Sequence, residues 1–189
     1  MFADTTAVIL CGGKSLRMGF DKSLLEFDGQ FVLLKTMEEI KKLFDKVILV
    51  TNTKEKFPKD FSAATIVEDN YIGKGPLGGL VTALESVETD NVFLLACDMP
   101  NLNLDLINIM GKFVKDYDIV ICGKGKKLEP LYAFYSKKCL PTFQNQLMGE
   151  NLRIRKEFDK FLVKVVSLEE EMLINVNTPK DLSLWTNRN

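Results

Sequence analysis

The sequence predicts an α/β protein, an open three-layer α/β/α domain around a mostly parallel sheet. Four short apolar runs, Ala7-Val8-Ile9-Leu10, Val47-Ile48-Leu49-Val50, Val92-Phe93-Leu94-Leu95-Ala96 and Ile119-Val120-Ile121-Cys122, show no alternation. Strands of a parallel sheet covered on both faces require this pattern. Between the runs lie helical periodicities: Leu33, Met37, Ile40 and Phe44 recur at i, i+4, i+7, i+11, and Leu80, Ala83, Leu84 and Val87 at i, i+3, i+4, i+7. A third stretch carries Ile107, Met110 and Val114. Strands alternating with helices make βαβ crossovers, which put a ligand beyond the carboxyl ends of the strands.

The second half is less regular. A strand is expected at Leu131–Tyr135, helical segments near Lys137–Leu147 and Asn151–Phe158, and a short strand at Phe161–Val166. Thr178-Pro179-Lys180-Asp181 offers a cap, a proline at the first helical position and an acid in the first turn, starting a final helix through Trp185. No repeat or linker divides the chain, so residues 1–189 are expected to form one domain.

Composition narrows the chemistry. There are 25 Lys and Arg against 26 Asp and Glu, a net charge of −1, and no histidine. Imidazole acid/base work, Ser-His and Cys-His nucleophiles and His metal ligands are therefore all excluded. The even charge balance argues against a nucleic-acid or membrane-surface binder but leaves small anions open. Met1–Thr6 lacks a signal-peptide pattern and no run is long enough to span a membrane, so a cytoplasmic location is expected. Cys11, Cys97, Cys122 and Cys139 have no CxxC spacing, and three of them follow apolar runs, which fits buried reduced thiols better than zinc ligands.

The segment from Cys11 to Lys22 leaves the first strand with Gly12, Gly13 and Gly19 and carries Lys14, Arg17 and Lys22 against Asp21. Glycines let backbone N–H groups approach phosphate oxygens, and the cations add charge that a low-dielectric cleft makes effective. A plain glycine turn with solvated charges would look alike, but position after the first strand of an α/β sheet favours the phosphate loop. Gly13-Lys14-Ser15 imitates the end of a Walker A sequence, yet Val8 stands where its first glycine is needed, and Gly12, Gly13 and Gly19 do not meet G-x-G-x-x-G. Asp98, directly after the Val92–Ala96 run, sits where a nucleotide would bind. A carboxylate together with phosphate oxygens is the usual way to hold Mg²⁺, although Asp98 could also cap a helix within Pro100–Phe113.

Leu10-Cys11-Gly12-Gly13-Lys14-Ser15-Leu16-Arg17-Met18-Gly19, followed by Asp21-Lys22, resembles the L-x-G-G-x-S-x-R-M-G-x-D-K signature of nucleotidyltransferases that make molybdenum cofactor dinucleotides, and most closely the molybdenum cofactor guanylyltransferases. Glu68-Asp69, Gly75-Pro76-Leu77-Gly78-Gly79, Cys97-Asp98-Met99-Pro100 and Asn175-Val176-Asn177-Thr178-Pro179 extend the likeness over roughly residues 7 to 182. It implies a Rossmann-like nucleotidyltransferase fold. It also implies that Leu10, Cys11, Gly12, Gly13, Lys22, Asp69 and Asp98 bind nucleotide and that Asp98 holds the metal; by charge, Arg17 and Lys22 are expected to share catalysis with Asp98 by offsetting charge developing on the pyrophosphate. Asn175 and Asn177 would face the pterin substrate, Glu129-Pro130-Leu131-Tyr132-Ala133 is similar to a segment lining the pterin side, and Arg153 and Arg155 are candidates for its phosphate. In one place the chain departs from its relatives: Thr51-Asn52-Thr53 stands where they carry S-A-N or N-A-N, so the expected nucleotide-contacting asparagine falls on Thr53, with Asn52 one residue away.

The implied reaction is transfer of GMP from GTP to the terminal phosphate of molybdopterin or Mo-molybdopterin, with Mg²⁺ as cofactor and release of pyrophosphate. So labile a cofactor points to hand-off with other molybdenum cofactor biosynthesis proteins and molybdoenzyme chaperones. A transferase of the same fold using CTP or a sugar phosphate remains open, as does a non-catalytic GTP-binding module.

Overall fold

A computed structural model describes residues 1–12, 21–125 and 127–167. In chain order the elements are β1 (Thr5–Leu10), the hairpin β2 (Glu26–Phe27) and β3 (Gln30–Phe31), α1 (Val32–Ile40), β4 (Lys46–Thr51), β5 (Thr65–Glu68), α2 (Gly75–Ser86), β6 (Asn91–Ala96), α3 (Leu104–Gly111), β7 (Ile119–Lys124), β8 (Lys127–Ser136), α4 (Leu140–Leu147) and β9 (Val163–Ser167). The four apolar runs are the cores of β1, β4, β6 and β7; the three helical periodicities begin in α1, α2 and α3 but each outlasts its helix, Phe44, Val87 and Val114 lying past the last helical residue. The Lys137–Leu147 expectation resolves into a 3₁₀ turn at Lys137–Cys139 followed by α4, and the Asn151–Phe158 expectation into a 3₁₀ helix at Ile154–Lys160. The final helix from Thr178 lies outside the described residues.

The seven-stranded sheet has the order β5-β4-β1-β6-β8-β7-β9. β5, β4, β1 and β6 run parallel to one another and β9 runs parallel to β7, while β8 is antiparallel to both its neighbours. Both faces are covered. Ala7 and Ile9 of β1 pack with Leu33, Met37 and Ile40 of α1 and Leu106, Ile107 and Met110 of α3. Val8 and Leu10 pack on the other side with Leu77, Leu80, Val81 and Leu84 of α2 and Phe143 and Leu147 of α4. Every residue of β1 is buried, as the central strand of a three-layer structure must be. On the α1/α3 side the core is aromatic: Phe44 stacks on Phe93 at 5.4 Å between ring centroids, and Phe93 meets Phe134 at 4.8 Å. Such pairs contribute roughly 0.5–1.5 kcal/mol each beyond their area burial.

The chain path locates the ligand crevice. From β1 it moves out to β4 and β5, then returns through α2 to β6 on the other side of β1, so the order reverses between β1 and β6. In open α/β sheets ligands bind outside the carboxyl ends of the strands at such a reversal. None of the helices among the described residues is long and apolar enough to cross a membrane.

Candidate nucleotide site at the switch point

Leu10 and Ala96 are partners at the last register position of β1 and β6. The chain leaves β1 through Cys11 and Gly12 and leaves β6 through Cys97 and Asp98, so the first loop and Asp98 emerge side by side. Cys11 N–H donates to the Val50 carbonyl at 2.7 Å and Cys97 N–H to the Leu10 carbonyl at 3.2 Å, extending the sheet one step past each strand. All four cysteines are unpaired thiols, with Cys11, Cys122 and Cys139 buried and Cys97 half-buried. Burial pushes the Cys11 thiol well up, as does the neighbouring Cys97, which keeps Cys11 neutral.

Across this crevice Lys22 Nζ lies 3.1 Å from Asp98 Oδ2, with the two side chains 22% and 26% exposed. Two charges the sequence holds 76 residues apart are thus brought together while both remain reachable by a ligand. Lys22 opens a short 3₁₀ turn, Lys22–Leu24, whose cap is Asp21: Asp21 Oδ1 accepts from the Ser23 amide at 2.9 Å and from the Ser23 hydroxyl at 2.6 Å. Asp98 is not a helix cap. Asn103 has that task, its Oδ1 accepting from the Leu106 amide at 2.9 Å, which leaves the Asp98 carboxylate to the crevice.

A second cation, Lys56, reaches the same loop from the connection between β4 and β5. Its ammonium donates to the Cys11 carbonyl at 2.6 Å and to Asp21 Oδ2 at 2.8 Å. Burial works against the Asp21 carboxylate, but hydrogen bonds from Lys56 and Ser23 and the Lys56 charge outweigh it and hold the carboxyl below its usual range. Sequence reasoning missed Lys56, because Lys54-Glu55-Lys56 reads as an ordinary solvated charge run. Asn52 also borders the loop, its Oδ1 3.0 Å from where a Cβ on Gly12 would stand. The main chain of Thr53 meets the Thr51 hydroxyl, its N–H donating to Oγ1 and its carbonyl accepting from it, both at a long 3.4 Å. The asparagine beside the loop is therefore Asn52.

The other expected positions are spread more widely. Asp69 follows β5, three strand spacings from β6, or about 14 Å. Its Oδ1 accepts from the Tyr71 amide at 2.9 Å and the Thr82 hydroxyl at 2.7 Å, which fixes the entry into α2. Glu129 is the third residue of β8, before the stretch that pairs with β6. Burial raises its carboxyl, against the opposing charge of Arg155; Arg153 and Arg155 are both exposed. Gly13, Arg17, Asn175 and Asn177 lie outside the described residues. Among the described residues no group of three or more carboxylates and thiols is placed to hold a metal ion.

Comparison with known proteins agrees with this geometry. Residues 7–163 match the family model of the MobA-like NTP transferase domain. A molybdenum cofactor guanylyltransferase from Syntrophotalea carbinolica is 35% identical over 190 residues, covering 95% of this chain and 90% of that protein. A protein from Natranaerobius thermophilus, named a probable molybdenum cofactor guanylyltransferase, is 34% identical over 96% of this chain and 95% of its own length. Among solved structures, molybdopterin-guanine dinucleotide biosynthesis protein A from Archaeoglobus fulgidus superimposes with a TM-score of 0.79 at 21% identity, covering 95% of each chain. The 4-diphosphocytidyl-2C-methyl-D-erythritol synthase from Anaerococcus prevotii shares the fold with a TM-score of 0.73 at 19% identity, covering 97% of this chain and 95% of that one. The protein therefore belongs to the molybdenum cofactor guanylyltransferase family, built on a MobA-like NTP transferase domain.

Proposed function

We propose that this protein transfers GMP from GTP to the terminal phosphate of molybdopterin, with or without molybdenum, and releases pyrophosphate. The observation that carries the proposal is the Lys22–Asp98 pair at the switch point beside Gly12, in a chain with guanylyltransferase relatives along nearly its whole length. The fold alone leaves the base open, since a cytidylyl-transferring neighbour shares it. Guanine is favoured by the relatives and by the Gly75-Pro76-Leu77-Gly78-Gly79 segment.

An oxygen of the acceptor phosphate attacks the α-phosphorus of GTP, the bond from that phosphorus to the α,β-bridging oxygen breaks, and its electron pair leaves with pyrophosphate. A phosphate monoester has a second pKa of about 6 and is mostly dianionic at neutral pH. No base has to deprotonate it, so a chain without histidine lacks nothing the reaction needs. What remains is positioning and charge compensation. Lys22 offsets negative charge developing on the leaving pyrophosphate, together with Arg17 and the amides of Gly12 and Gly13. Leu10 and Cys11 line the nucleotide, Asp69 contacts it from the β5 end, and Asn175 and Asn177 bind the acceptor.

A partly exposed carboxylate suits an ion that takes most of its oxygen ligands from a triphosphate and water, which is how Mg²⁺ is usually bound. Asp98 would hold it, and when bound it neutralises charge on the phosphates. Reduced, unpaired cysteines agree with work in the cytoplasm, where other molybdenum cofactor biosynthesis proteins and molybdoenzyme chaperones would supply and receive the pterin. The test is to incubate the protein with Mg²⁺, molybdopterin and each nucleoside triphosphate and measure pyrophosphate. Release with GTP alone is expected; release with CTP instead would replace the guanine assignment, and release with no nucleotide would reduce the protein to a binding module.

A further inference from the structure

We infer that Lys56 is a positioning residue of the nucleotide site: its ammonium holds both ends of the first loop and thereby sets Lys22 against Asp98. The ends in question are Cys11, the first residue after β1, and Asp21, the last before the turn that carries Lys22. They stand 45 and 35 residues from Lys56 in sequence, and the same nitrogen donates to both, at 2.6 Å and 2.8 Å. One cation thus closes the loop at its base.

Three further features make this a built contact. The Lys56 side chain is only 17% exposed, so its bonds to a carbonyl and a carboxylate are shielded from competing water. Its Nζ lies 5.0 Å from the centre of the Phe57 ring, and Phe57 packs on Phe61 at 4.9 Å, which packs on Phe31 at 5.2 Å. Phe61 is 1% exposed, so the lysine rises from an aromatic row anchored in the core. Finally, Asp21 spends its two carboxylate oxygens differently: Oδ2 accepts from Lys56, and Oδ1 caps the turn that presents Lys22. Successive residues Asp21 and Lys22 are therefore tied to different parts of the fold, one to the β4–β5 connection and one to Asp98, the second residue past β6. A push on either tie is felt at the Lys22 ammonium, and displacements of an ångström in such groups can lower rates by about 100-fold.

The inference rests on the proposed reaction only for its kinetic readout, so the test has a second, structural arm. Lys56→Met keeps the length of the side chain and removes the charge; Lys56→Arg restores a cation. In Lys56→Met the KM for GTP should rise about tenfold or more while the KM for the pterin stays within about twofold, and Lys56→Arg should recover most of the loss. Limited trypsin digestion read by mass spectrometry should show cleavage after Lys22, at the described end of the loop, accelerated several-fold in Lys56→Met, with cleavage at the other lysines and arginines unchanged apart from the site lost at position 56. Asp21→Asn should act on the same tie, so Lys56→Met with Asp21→Asn should be no worse than the weaker single variant. Unchanged loop cleavage overturns the inference, and so does faster cleavage with an unchanged KM for GTP, or a double variant whose losses simply multiply. If the wild type transfers no nucleotide at all, the proposed reaction falls, and the cleavage arm alone decides Lys56.

Discussion

Two glycine-bearing segments frame this protein, and they use glycine for opposite reasons. Gly12, just past β1, is exposed, and the nearest thing a Cβ there would meet is the Asn52 side-chain oxygen at 3.0 Å, a group at the surface that can turn aside. Gly78 and Gly79, in the first turns of α2, are buried. A Cβ on Gly78 would stand 2.8 Å from the Tyr71 carbonyl oxygen, 3.0 Å from the Tyr71 Cβ and 3.1 Å from the Lys74 Cβ; on Gly79 it would stand 2.9 Å from a Leu10 methyl. In the proposed reading the β1 glycine serves the ligand; the α2 glycines leave room for the protein itself.

Substitution should separate the two regions. The largest loss of stability is expected for Gly78→Ala, about 1–3 kcal/mol from overpacking against backbone, read as a melting point lower by roughly 2–4 °C per kcal/mol. Its KM for GTP, measured below the transition, should stay close to wild type. Gly12→Ala should do the reverse, leaving stability within about 0.5 kcal/mol and weakening GTP by about three- to tenfold, or up to about 1.4 kcal/mol. Gly79→Ala is smaller again: the Leu10 methyl can rotate away, and alanine regains about 0.5–1 kcal/mol of helix propensity, so the net change should stay under about 1 kcal/mol. Should Gly78→Ala be the one to weaken GTP and Gly12→Ala the one to unfold, the division between the segments is wrong.

The smallest effect concerns pH. Because the folded Asp21 carboxyl is held below its usual range, its ionised form contributes stability that is complete above the unfolded value of about 3.9 and is lost as pH falls through the lower folded value. In urea titrations Asp21→Asn should trail the wild type by a constant amount from neutral pH down to about pH 4. The gap should close below that, and it should not exceed about 1 kcal/mol, since the Asp21 side chain is 40% exposed. A gap that widened with acid would mean that Lys56 does not hold the charged form.

Much of the architecture was legible because burial on two faces leaves an unmistakable pattern. β1, β4, β6 and β7 each contain an uninterrupted apolar run of four or five residues, and α1, α2 and α3 bury apolar residues at helical spacing. β5 was not legible: at the sheet edge only Ile66 and Val67 are half-buried, too little for a run. The β2–β3 hairpin did have a signal, Asp28-Gly29 with φ of 50° and 73°, the pairing a tight hairpin turn favours. The direction of β8 could not be read from Leu131–Tyr135, since a buried strand looks the same whichever way it runs. At the site, Lys22 and Asp98 were legible because each adjoins a strand end or a glycine motif. Lys56 was not, because its role depends on which carbonyl and carboxylate the fold brings within reach of an otherwise unremarked charge run.

The central claim is that nucleotidyl transfer takes place at the carboxyl ends of β1 and β6 and depends on Asp98. The most direct measurement follows radiolabel from [α-³²P]GTP into the pterin product, with Mg²⁺, for wild type and Asp98→Asn side by side, each with its melting temperature. A carboxylate that holds the metal predicts label transfer by the wild type and a loss of about 100-fold or more in Asp98→Asn, with melting within a few degrees of wild type. Label transfer by Asp98→Asn at close to the wild-type rate would contradict the claim and move the chemistry elsewhere.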